Sequence, residues 1–305
     1  MILGCDKLDQ YYGRQQVLSG VTFETSAGSI GLLGPNGAGK STLIKTCLAH
    51  LPVPPGRVRI AGLDPARSPL QVRQRVGYLP ESEASLPGLS GLEYVAFCGQ
   101  LSGMRRVDAL GRAHRVLGFV GLGESRYRPL DGYSVGMRQR LKLAACLVHG
   151  AELLLLDEPT SGLDPAGRRE MLEMVAELAR RRGVHVMLSS HILQDVERTC
   201  DEVVLLHAGR VLFAGSREAF QRRESQRLTV RVKADAARMA EALRAEGCRV
   251  EAPAGAAGLE VELPAGGGPQ LVWKTARACG LQIRHLAPAS ATLEQAYARA
   301  VTEAR

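Results

Sequence analysis

The sequence contains few aromatic residues and no long hydrophobic run. Phe, Trp and Tyr together make up 4% of its 305 residues, although hydrophobic residues of all kinds reach 45%. No segment approaches the roughly 20 apolar residues that a membrane-spanning helix needs. The chain does not open with the charged and then apolar stretch of a secretory signal. We therefore expect a soluble, cytoplasmic protein without a membrane span of its own.

Two further absences restrict the ligands and partners. The seven cysteines lack C-x-x-C spacing, so we expect neither a zinc site nor a disulfide framework. The net charge is +8, but the basic residues do not alternate with the aromatic residues on which bases stack. We therefore expect no specific nucleic acid partner. A basic face beside anionic lipid headgroups is the second interpretation of this charge.

The most informative feature that is present is a match to the phosphate-binding pattern G-x-x-x-x-G-K-[ST]. Its residues are Gly34, Pro35, Asn36, Gly37, Ala38, Gly39, Lys40, Ser41 and Thr42. Glycines let consecutive backbone N–H groups point at phosphate oxygens, and a helix expected over 41–49 adds the positive end of its dipole. Lys40 is expected to reach the β- and γ-phosphates, and the Ser41 hydroxyl to bind Mg²⁺. The pattern, preceded by a strand expected over 30–33, predicts a nucleoside triphosphate site.

A second motif lies where a buried strand is expected to end. The leucine run 153–156 is followed by Asp157 and Glu158, and a continuously apolar strand is typical of one buried on both faces of a parallel sheet. Ligand crevices open at the carboxyl ends of such strands. Asp157 is therefore expected to support the Mg²⁺ shell, and Glu158 to orient and polarise an attacking water. A buried strand followed by a solvated acidic turn is the plainer interpretation.

Further motifs follow in a fixed order. The octapeptide Y-S-V-G-M-R-Q-R, which contains Ser134 and Gly136, resembles the signature sequence of the ATP-binding cassette (ABC) ATPases. The segment S-G-L-D-P, which contains Asp164, resembles the D-loop of that family. His191 follows an apolar strand at the position of the family's switch histidine, and Tyr12 matches the aromatic residue that stacks on adenine. Because order and spacing agree, the chain is identified as a member of the ABC ATPase family.

The resemblance implies a fold and a mechanism. The fold class is α/β, with a P-loop ABC ATPase core that contains a parallel sheet and a helical lobe carrying the signature. ATP is expected to lie between the phosphate loop of one ATPase domain and the signature and D-loop of another, in a homodimer or pseudo-dimer. Glu158 is expected to position water, while Lys40, His191 and Mg²⁺ stabilise the developing charge.

Within the family, three details resemble the ATPase subunits of ABC-2-type permeases, chiefly exporters. They are the Y-S-x-G-M form of the signature, the V-G-Y-L-P-E segment at 76–81, and the tail T-L-E-Q-A-Y at 292–297. This implies a separate polytopic membrane permease as partner and a peripheral location on the cytoplasmic face of the cell membrane. The rival interpretation is a soluble ABC-type ATPase acting on ribosomes or nucleic acid, although such relatives generally carry two cassettes or a long coiled coil.

Two positions depart from the family pattern. Glu81 occupies the place where most members have Gln, whose amide oxygen approaches Mg²⁺ and the attacking water. A carboxylate supplies the same hard oxygen ligand but adds negative charge beside Asp157 and Glu158, and we expect Glu81 to serve both as metal ligand and in catalysis. Val135 replaces a small residue of the signature, and activity is expected to survive this change because the neighbouring signature residues are retained.

Changes of pattern divide the chain into two expected domains. An ATPase domain is expected over residues 1–222, with its helical lobe at about 84–148, and an accessory domain over 226–305. The accessory domain has the pattern order βαββαβ, which predicts a small α+β, ferredoxin-like fold. A last helix is expected to begin near Thr292. No catalytic pattern occurs in this domain, and dimer contact, regulation and partner choice are all left open as its role.

Overall fold

The computed structural model of the chain describes residues 1–26, 28–82, 86, 88–181, 183–220, 227–251, 258–264 and 267–288. The chain divides into two compact units, Met1–Ser216 and Arg217–Arg305. The boundary expected between residues 222 and 226 lies outside the described ranges, so it stays a prediction. Within those ranges, no helix combines the length and apolarity that crossing a lipid bilayer requires.

The first unit contains two sheets. Its strands are β1 (Leu3–Tyr12), β2 (Gln15–Thr25), β3 (Ser29–Leu33), β4 (Val58–Ile60), β5 (Val76–Leu79), β6 (Leu153–Asp157), β7 (His185–Ser190), β8 (Glu202–His207) and β9 (Arg210–Ser216). Strands β2, β1 and β4 form an antiparallel sheet in that order. The larger sheet has the order β5-β6-β7-β3-β8-β9, and its pairings are parallel except that of β9 with β8.

Helices connect and cover these strands. They are α1 (Lys40–Cys47), α2 (Pro69–Arg75), α3 (Gly91–Leu101), α4 (Arg106–Phe119), α5 (Val135–Leu147), α6 (Pro165–Arg180) and α7 (Leu193–Thr199), with 3₁₀ turns at Gly123–Tyr127 and Leu130–Gly132. Helix α1 packs against β6, α5 against β5, α6 against β7 and α7 against β3. The result is a layered α/β core, as expected for βα units that alternate along the chain.

The centre of the larger sheet is fully buried. Every residue of β3 and of β6 is buried, which is the reason that these strands appear in the sequence as continuous apolar runs. The strand expected over 30–33 and the strand expected at the leucine run 153–156 are confirmed, with β3 beginning one residue earlier and β6 including Asp157. The helix expected over 41–49 is also confirmed, with α1 beginning one residue earlier and ending two residues earlier.

Helices α3, α4 and α5 pack against one another as a helical lobe. The S-x-x-E pattern of Ser90 and Glu93 predicts a capping box, and α3 begins with one: Glu93 N–H donates to Ser90 Oγ at 3.3 Å, and Ser90 N–H donates to Glu93 Oε2 at 2.8 Å. The Ser90 hydroxyl also donates to Glu93 Oε2 at 2.7 Å, and this bond, followed by the bond from the Ser90 N–H, lowers the pKa of the Glu93 carboxyl. The signature residue Ser134 caps α5 in the same way, because its hydroxyl accepts the Met137 N–H at 3.3 Å. Sequence-local capping therefore fixes where α3 and α5 begin.

The second unit contains β10 (Arg227–Val232), α8 (Ala236–Ala245), β11 (Arg249–Glu251), β12 (Leu259–Glu262), α9 (Gln270–Ala278) and β13 (Ile283–Pro288). Its antiparallel sheet has the order β11-β12-β10-β13, so β12 lies between the two strands that α8 connects. This is the split βαβ arrangement of the ferredoxin-like fold, and the expected fold is confirmed. The helix expected near Thr292 lies outside the described residues.

The second unit has a hydrophobic core of its own. The cluster includes Leu228, Val230, Met239, Leu243, Val261 and Val272. Alternate residues of β10, Val261 of β12 and the inner faces of α8 and α9 supply these side chains, as the periodicity of the sequence predicts. A separate core is the physical condition for independent folding.

We therefore expect a fragment of residues 217–305 to fold alone. Its far-ultraviolet circular dichroism should show one cooperative thermal transition. The control is the same fragment with Leu243→Asp, which places an unpaired charge in the fully buried centre of the cluster and should abolish the transition. A gradual loss of signal in the unmodified fragment would contradict the independent core.

Candidate nucleotide-binding and catalytic site

The expected catalytic motifs meet at one edge of the larger sheet. Strands β5, β6, β7 and β3 are consecutive neighbours and run parallel, so their carboxyl ends lie at the same edge. Glu81 comes two residues after β5, Glu158 follows β6, His191 follows β7, and the phosphate loop 34–42 follows β3. Segments that are far apart in sequence are therefore brought side by side by the sheet order alone.

The phosphate loop joins β3 to α1. Gly39 precedes the helix with a φ of +105°, a backbone conformation that glycine adopts readily and that strains other residues. A Cβ at this position would also lie 2.7 Å from Cδ2 of Leu18. No described side chain caps the start of α1, which leaves its first N–H groups to an anionic ligand.

The Lys40 ammonium lies inside this loop. Lys40 is 6% exposed, and its Nζ donates to the carbonyl oxygens of Gly34 at 2.7 Å and Pro35 at 3.3 Å. The same Nζ lies 3.3 Å from Oε1 of Glu158. A buried cation held by main-chain carbonyls on one side and a carboxylate on the other is placed for contact with phosphate oxygens in the loop.

Glu158 joins Lys40 to His191. Its Oε2 lies 3.0 Å from Nδ1 of His191, while its Oε1 pairs with Lys40. The Glu158 backbone has a φ of +49°, and a left-handed conformation costs a non-glycine residue about 1–2 kcal/mol. Its N–H donates to the Ser189 carbonyl oxygen of β7 at 3.2 Å. Strain of this kind is concentrated at functional sites, where the surrounding structure holds it.

Asp157 has the environment of a cation ligand. It is 1% exposed at the end of β6, and among the described residues its Oδ1 has no hydrogen-bond donor. A buried carboxylate oxygen without a donor is costly unless a cation or water meets it. Ser41 and Glu81 line the same cavity as Glu158, which directly follows Asp157. These hard oxygen atoms fit the expected Mg²⁺.

The negative charge expected around Glu81 affects a neighbouring tyrosine. Burial, and after it the nearby Asp157, Cys146 and Glu81, together raise the pKa of Tyr78 to about 12. The carboxylates at the ends of β5 and β6 therefore act on the same volume. A cation in that volume would relieve their repulsion.

A cavity of about 370 Å³ brings most of the expected site residues together. Its lining is Tyr12, Val17, Pro35, Asn36, Gly37, Gly39, Lys40, Ser41, Thr42, Glu81 and Glu158. Tyr12 lies at the end of β1 and is 46% exposed, so its ring is accessible to a planar base. The cavity thus combines an aromatic surface, a phosphate loop and carboxylates.

The signature and D-loop residues line a different cavity. This second cavity, of about 550 Å³, is lined by Ser134, Val135, Gly136, Met137, Arg140, Gly162, Leu163, Asp164, Ala166, Gly167, Glu170 and Met171. Ser134 and Asp164 are exposed, and each caps a helix, α5 and α6 respectively. The structure therefore does not bring these residues into the phosphate-loop cavity of the same chain.

Sequence reasoning missed a buried network behind the catalytic edge. Asp195 of α7 is 1% exposed. Its Oδ1 accepts hydrogen bonds from Arg168 Nε at 2.8 Å and from Arg168 Nη2 at 2.6 Å. Its Oδ2 accepts from the Thr160 hydroxyl at 3.0 Å and from the Ser190 hydroxyl at 3.2 Å. Thr160 precedes the D-loop and Ser190 precedes His191, so one carboxylate holds both segments. The available signal was an acidic residue on the buried face of a short helix, which needs a partner.

Comparisons with known proteins identify the family. The ABC transporter family model matches residues 18–161. The chain is 34% identical over 217 residues to the linearmycin resistance ATP-binding protein LnrL of Bacillus subtilis (strain 168), covering 71% of this chain and 70% of that protein. It is 34% identical over 212 residues to the bacitracin transport ATP-binding protein BcrA of Bacillus licheniformis, covering 69% and 68%. A solved ATP binding subunit of an ABC transporter has a TM-score of 0.65 and 31% identity, covering 73% of this chain and 92% of that structure.

The fold and the cavity at its catalytic edge define a P-loop ATPase. The chain belongs to the ABC transporter family, in which it is an ATP-binding subunit that hydrolyses ATP. The family, fold class and enzyme class expected from the sequence are thereby confirmed. The roles of the individual site residues stay predictions.

The Asp195 network gives a test of what holds the D-loop and His191 segments. We expect Asp195→Ala to lower the free energy of unfolding by about 2–3 kcal/mol, because it leaves two hydroxyls and a partly buried guanidinium without their acceptor. Urea denaturation measures this loss. The control is Glu177→Ala, which breaks the exposed Glu177–Arg181 ion pair on α6 and should cost less than about 1 kcal/mol. Equal costs for the two changes would contradict a stabilising network.

Proposed function

We propose that this chain hydrolyses ATP to drive transport by a separate ABC-2-type membrane permease that works as an exporter. The observation that carries the assignment of the catalytic residues is the contact of Glu158 with both Lys40 and His191 beside the phosphate loop. The transport assignment is supported by relatives whose names refer to bacitracin transport and linearmycin resistance.

Lys40 and Glu158 act in sequence in this proposal. Lys40 gives up its contact with Glu158 and takes oxygen atoms of the β- and γ-phosphates, because those oxygens carry more charge than one carboxylate. Glu158 is then free to orient and polarise the attacking water. His191, whose side chain is 47% exposed, donates to the γ-phosphate and stabilises charge that develops there. The backbone bond from Glu158 to Ser189 keeps the carboxylate in place throughout.

Ser41, Asp157 and Glu81 are the residues that would hold Mg²⁺. When bound there, Mg²⁺ would neutralise phosphate charge. Asp157 would contribute its Oδ1, which has no described donor, from the buried end of β6, and Glu81 would contribute its carboxylate from the segment after β5. The Glu81 carboxylate thereby takes the place of the amide oxygen found in most of the family.

Two copies of the chain complete the catalytic sites. Ser134, Gly136 and Asp164 line a cavity that lacks the phosphate loop, while the phosphate-loop cavity lacks them. Each chain carries both halves, so a symmetric homodimer contains two equivalent sites. The N-terminus of α5 then faces the γ-phosphate bound by the other copy. Hydrolysis removes the group that joins the copies, and they separate.

The partner is a polytopic permease, and the chain would lie peripherally at the cytoplasmic face of the membrane. The docking surface is expected to include residues 81–93, which link the catalytic edge to the helical lobe in the sequence; of these, residues 83–85 and 87 lie outside the described residues. Helices α3 and α4 of that lobe also expose large apolar side chains: Phe97, Leu101, Val107 and Leu110 are 40%, 72%, 81% and 43% exposed. Exposed apolar side chains of this size are typical of protein interaction surfaces.

The chemistry is tested by separating ATP binding from turnover. Glu158→Gln should bind ATP as the parent does, lose about a hundredfold or more in kcat because the base is removed, and accumulate an ATP-bound dimer. Lys40→Ala should lose productive ATP binding. Size-exclusion chromatography with Mg-ATP and a phosphate-release assay measure these outcomes. Parental turnover by Glu158→Gln would show that another residue activates the water.

The partner assignment is tested by recovery from detergent-solubilised membranes. The parent chain should retain a multi-span membrane protein, and Leu101→Glu combined with Val107→Glu should reduce that recovery without changing ATPase activity of the isolated subunit. The matched control is Leu70→Glu on α2, since Leu70 is similarly exposed at 68% but lies outside the lobe. Recovery of ribosomes or nucleic acid in place of a membrane protein would support the rival function.

A further inference from the structure

Lys142 is a buried lysine whose role the catalytic motifs do not explain. It lies in the second half of α5 and is 7% exposed. Its Nζ donates to three consecutive main-chain carbonyl oxygens, those of Pro80 at 2.9 Å, Glu81 at 3.3 Å and Ser82 at 3.4 Å. An ammonium has three N–H donors, so this one side chain can donate to all three carbonyls. The segment that they belong to directly follows β5.

Helix α5 is held closely against β5. A Cβ on Gly77 would lie 2.4 Å from the carbonyl oxygen of Cys146, so the strand can approach the helix only with glycine there. Lys142 is one helical turn before Cys146, and it meets the far end of the same strand. The close packing therefore fixes the point from which the lysine side chain extends.

The same face of α5 also reaches the D-loop segment. Gln139, three residues before Lys142, is 6% exposed, and its Nε2 donates to the Ser161 carbonyl oxygen at 3.1 Å. Residues three apart lie on one face of a helix. Helix α5, which the signature residue Ser134 caps, therefore binds main-chain carbonyls of two further segments. Both segments, the D-loop segment and the Glu81 segment, are expected to act on the nucleotide.

We propose that Lys142 is a positioning residue that ties the signature helix to the Glu81 segment and so sets where the Glu81 carboxylate lies in the nucleotide cavity. The proposal rests on the proposed role of Glu81 at the metal and the water. The ammonium holds the backbone on both sides of the Glu81 Cα, which leaves the side chain directed by a fixed main chain. It also places a buried positive charge beneath a segment whose carboxylate adds to the charge of Asp157 and Glu158.

Removal of the ammonium should displace Glu81 without damaging the phosphate loop. Lys142→Met keeps most of the side-chain length but leaves the three carbonyls without this donor. We expect the affinity for ATP in the absence of Mg²⁺ to stay within about twofold of the parent, because Lys40 and the loop are untouched. We expect kcat to fall roughly ten- to a hundredfold, as for a misplaced catalytic group, and the Mg²⁺ concentration for half-maximal rate to rise.

A double-mutant cycle distinguishes positioning from general support of the fold. In a Glu81→Ala background there is no carboxylate to position, so Lys142→Met should lower kcat by less than about threefold further. Lys142→Arg, which retains the charge and donors, should recover part of the parental kcat. Lys274→Met is the matched control, because Lys274 is an exposed lysine on α9 of the second unit; it should leave all three measurements unchanged.

The outcomes separate this proposal from the proposed function. If the parent chain fails to bind ATP, the proposed function is wrong. If the parent binds ATP and Lys142→Met lowers kcat equally in both backgrounds, or leaves it unchanged, the positioning role is wrong. If Lys142→Met does not fold, Lys142→Arg replaces it in the cycle, because the bulkier guanidinium shifts the same carbonyls. A change in kcat or in Mg²⁺ dependence that disappears in the Glu81→Ala background then supports the proposal. Any other result overturns it.

Discussion

The hydrogen-bond register of the parallel strands is the constraint on which the whole site depends. The register pairs Leu79 with Leu156, Asp157 with Ser189, and Leu33 with Ser190. The first residues beyond β6, β7 and β3 therefore lie at nearly the same level along the sheet; they are Glu158, His191 and Gly34. Glu81, after β5, lies within one residue of that level. Because side chains alternate between faces, a slip of one residue in any pairing would turn a catalytic side chain to the wrong face.

Charge balance explains why these residues lie so close together. Asp157 and Glu158 are both nearly buried, and two carboxylates in one dry volume repel each other strongly. Lys40 offsets the charge of Glu158 by direct contact, whereas Oδ1 of Asp157 has no described donor. At this edge of the sheet, the negative charge of Glu158 is therefore offset by Lys40, whereas Oδ1 of Asp157 is available to a cation. This charge balance supports the proposal that the site takes a ligand that brings both a cation and several negative oxygens.

The sequence predicted the motifs and the architecture because these depend on local pattern. The phosphate loop, the leucine run before Asp157, the Ser90 capping box and the βαββαβ order of the second unit each follow from residues close together in the chain. The Lys142 contacts were not predictable in this way, since they join residues 60 to 62 positions apart and depend on tertiary packing. The Asp195 network and the positive φ of Glu158 have the same origin. Local pattern gives element type, while long-range packing selects side-chain partners.

Strand and helix boundaries differ from expectation for a related reason. The sequence predicts extended chain over 281–286 as the last strand of the βαββαβ order, and the strand is observed as Ile283–Pro288. Its extent is set by pairing with β10 and not by its own apolar residues. Hydrogen-bond partners on another strand decide where extended chain becomes sheet. The sequence of that segment predicts extended chain but contains no information about its partner.

Helix α5 gives the helical lobe a direct mechanical connection to the catalytic edge. Ser134 caps its N-terminus, and Gln139 and Lys142 hold carbonyls of the D-loop segment and the Glu81 segment. At 1.5 Å per residue, Ser134 and Lys142 are separated by about 12 Å of rigid helix. A rigid element of this length transmits a rotation at one end as a displacement at the other. In the proposed homodimer, a second copy that closes on Ser134 would move α5, and the segments held by α5 would have to move with it or lose their hydrogen bonds. The approach of the signature and the geometry around Glu81 would therefore change together.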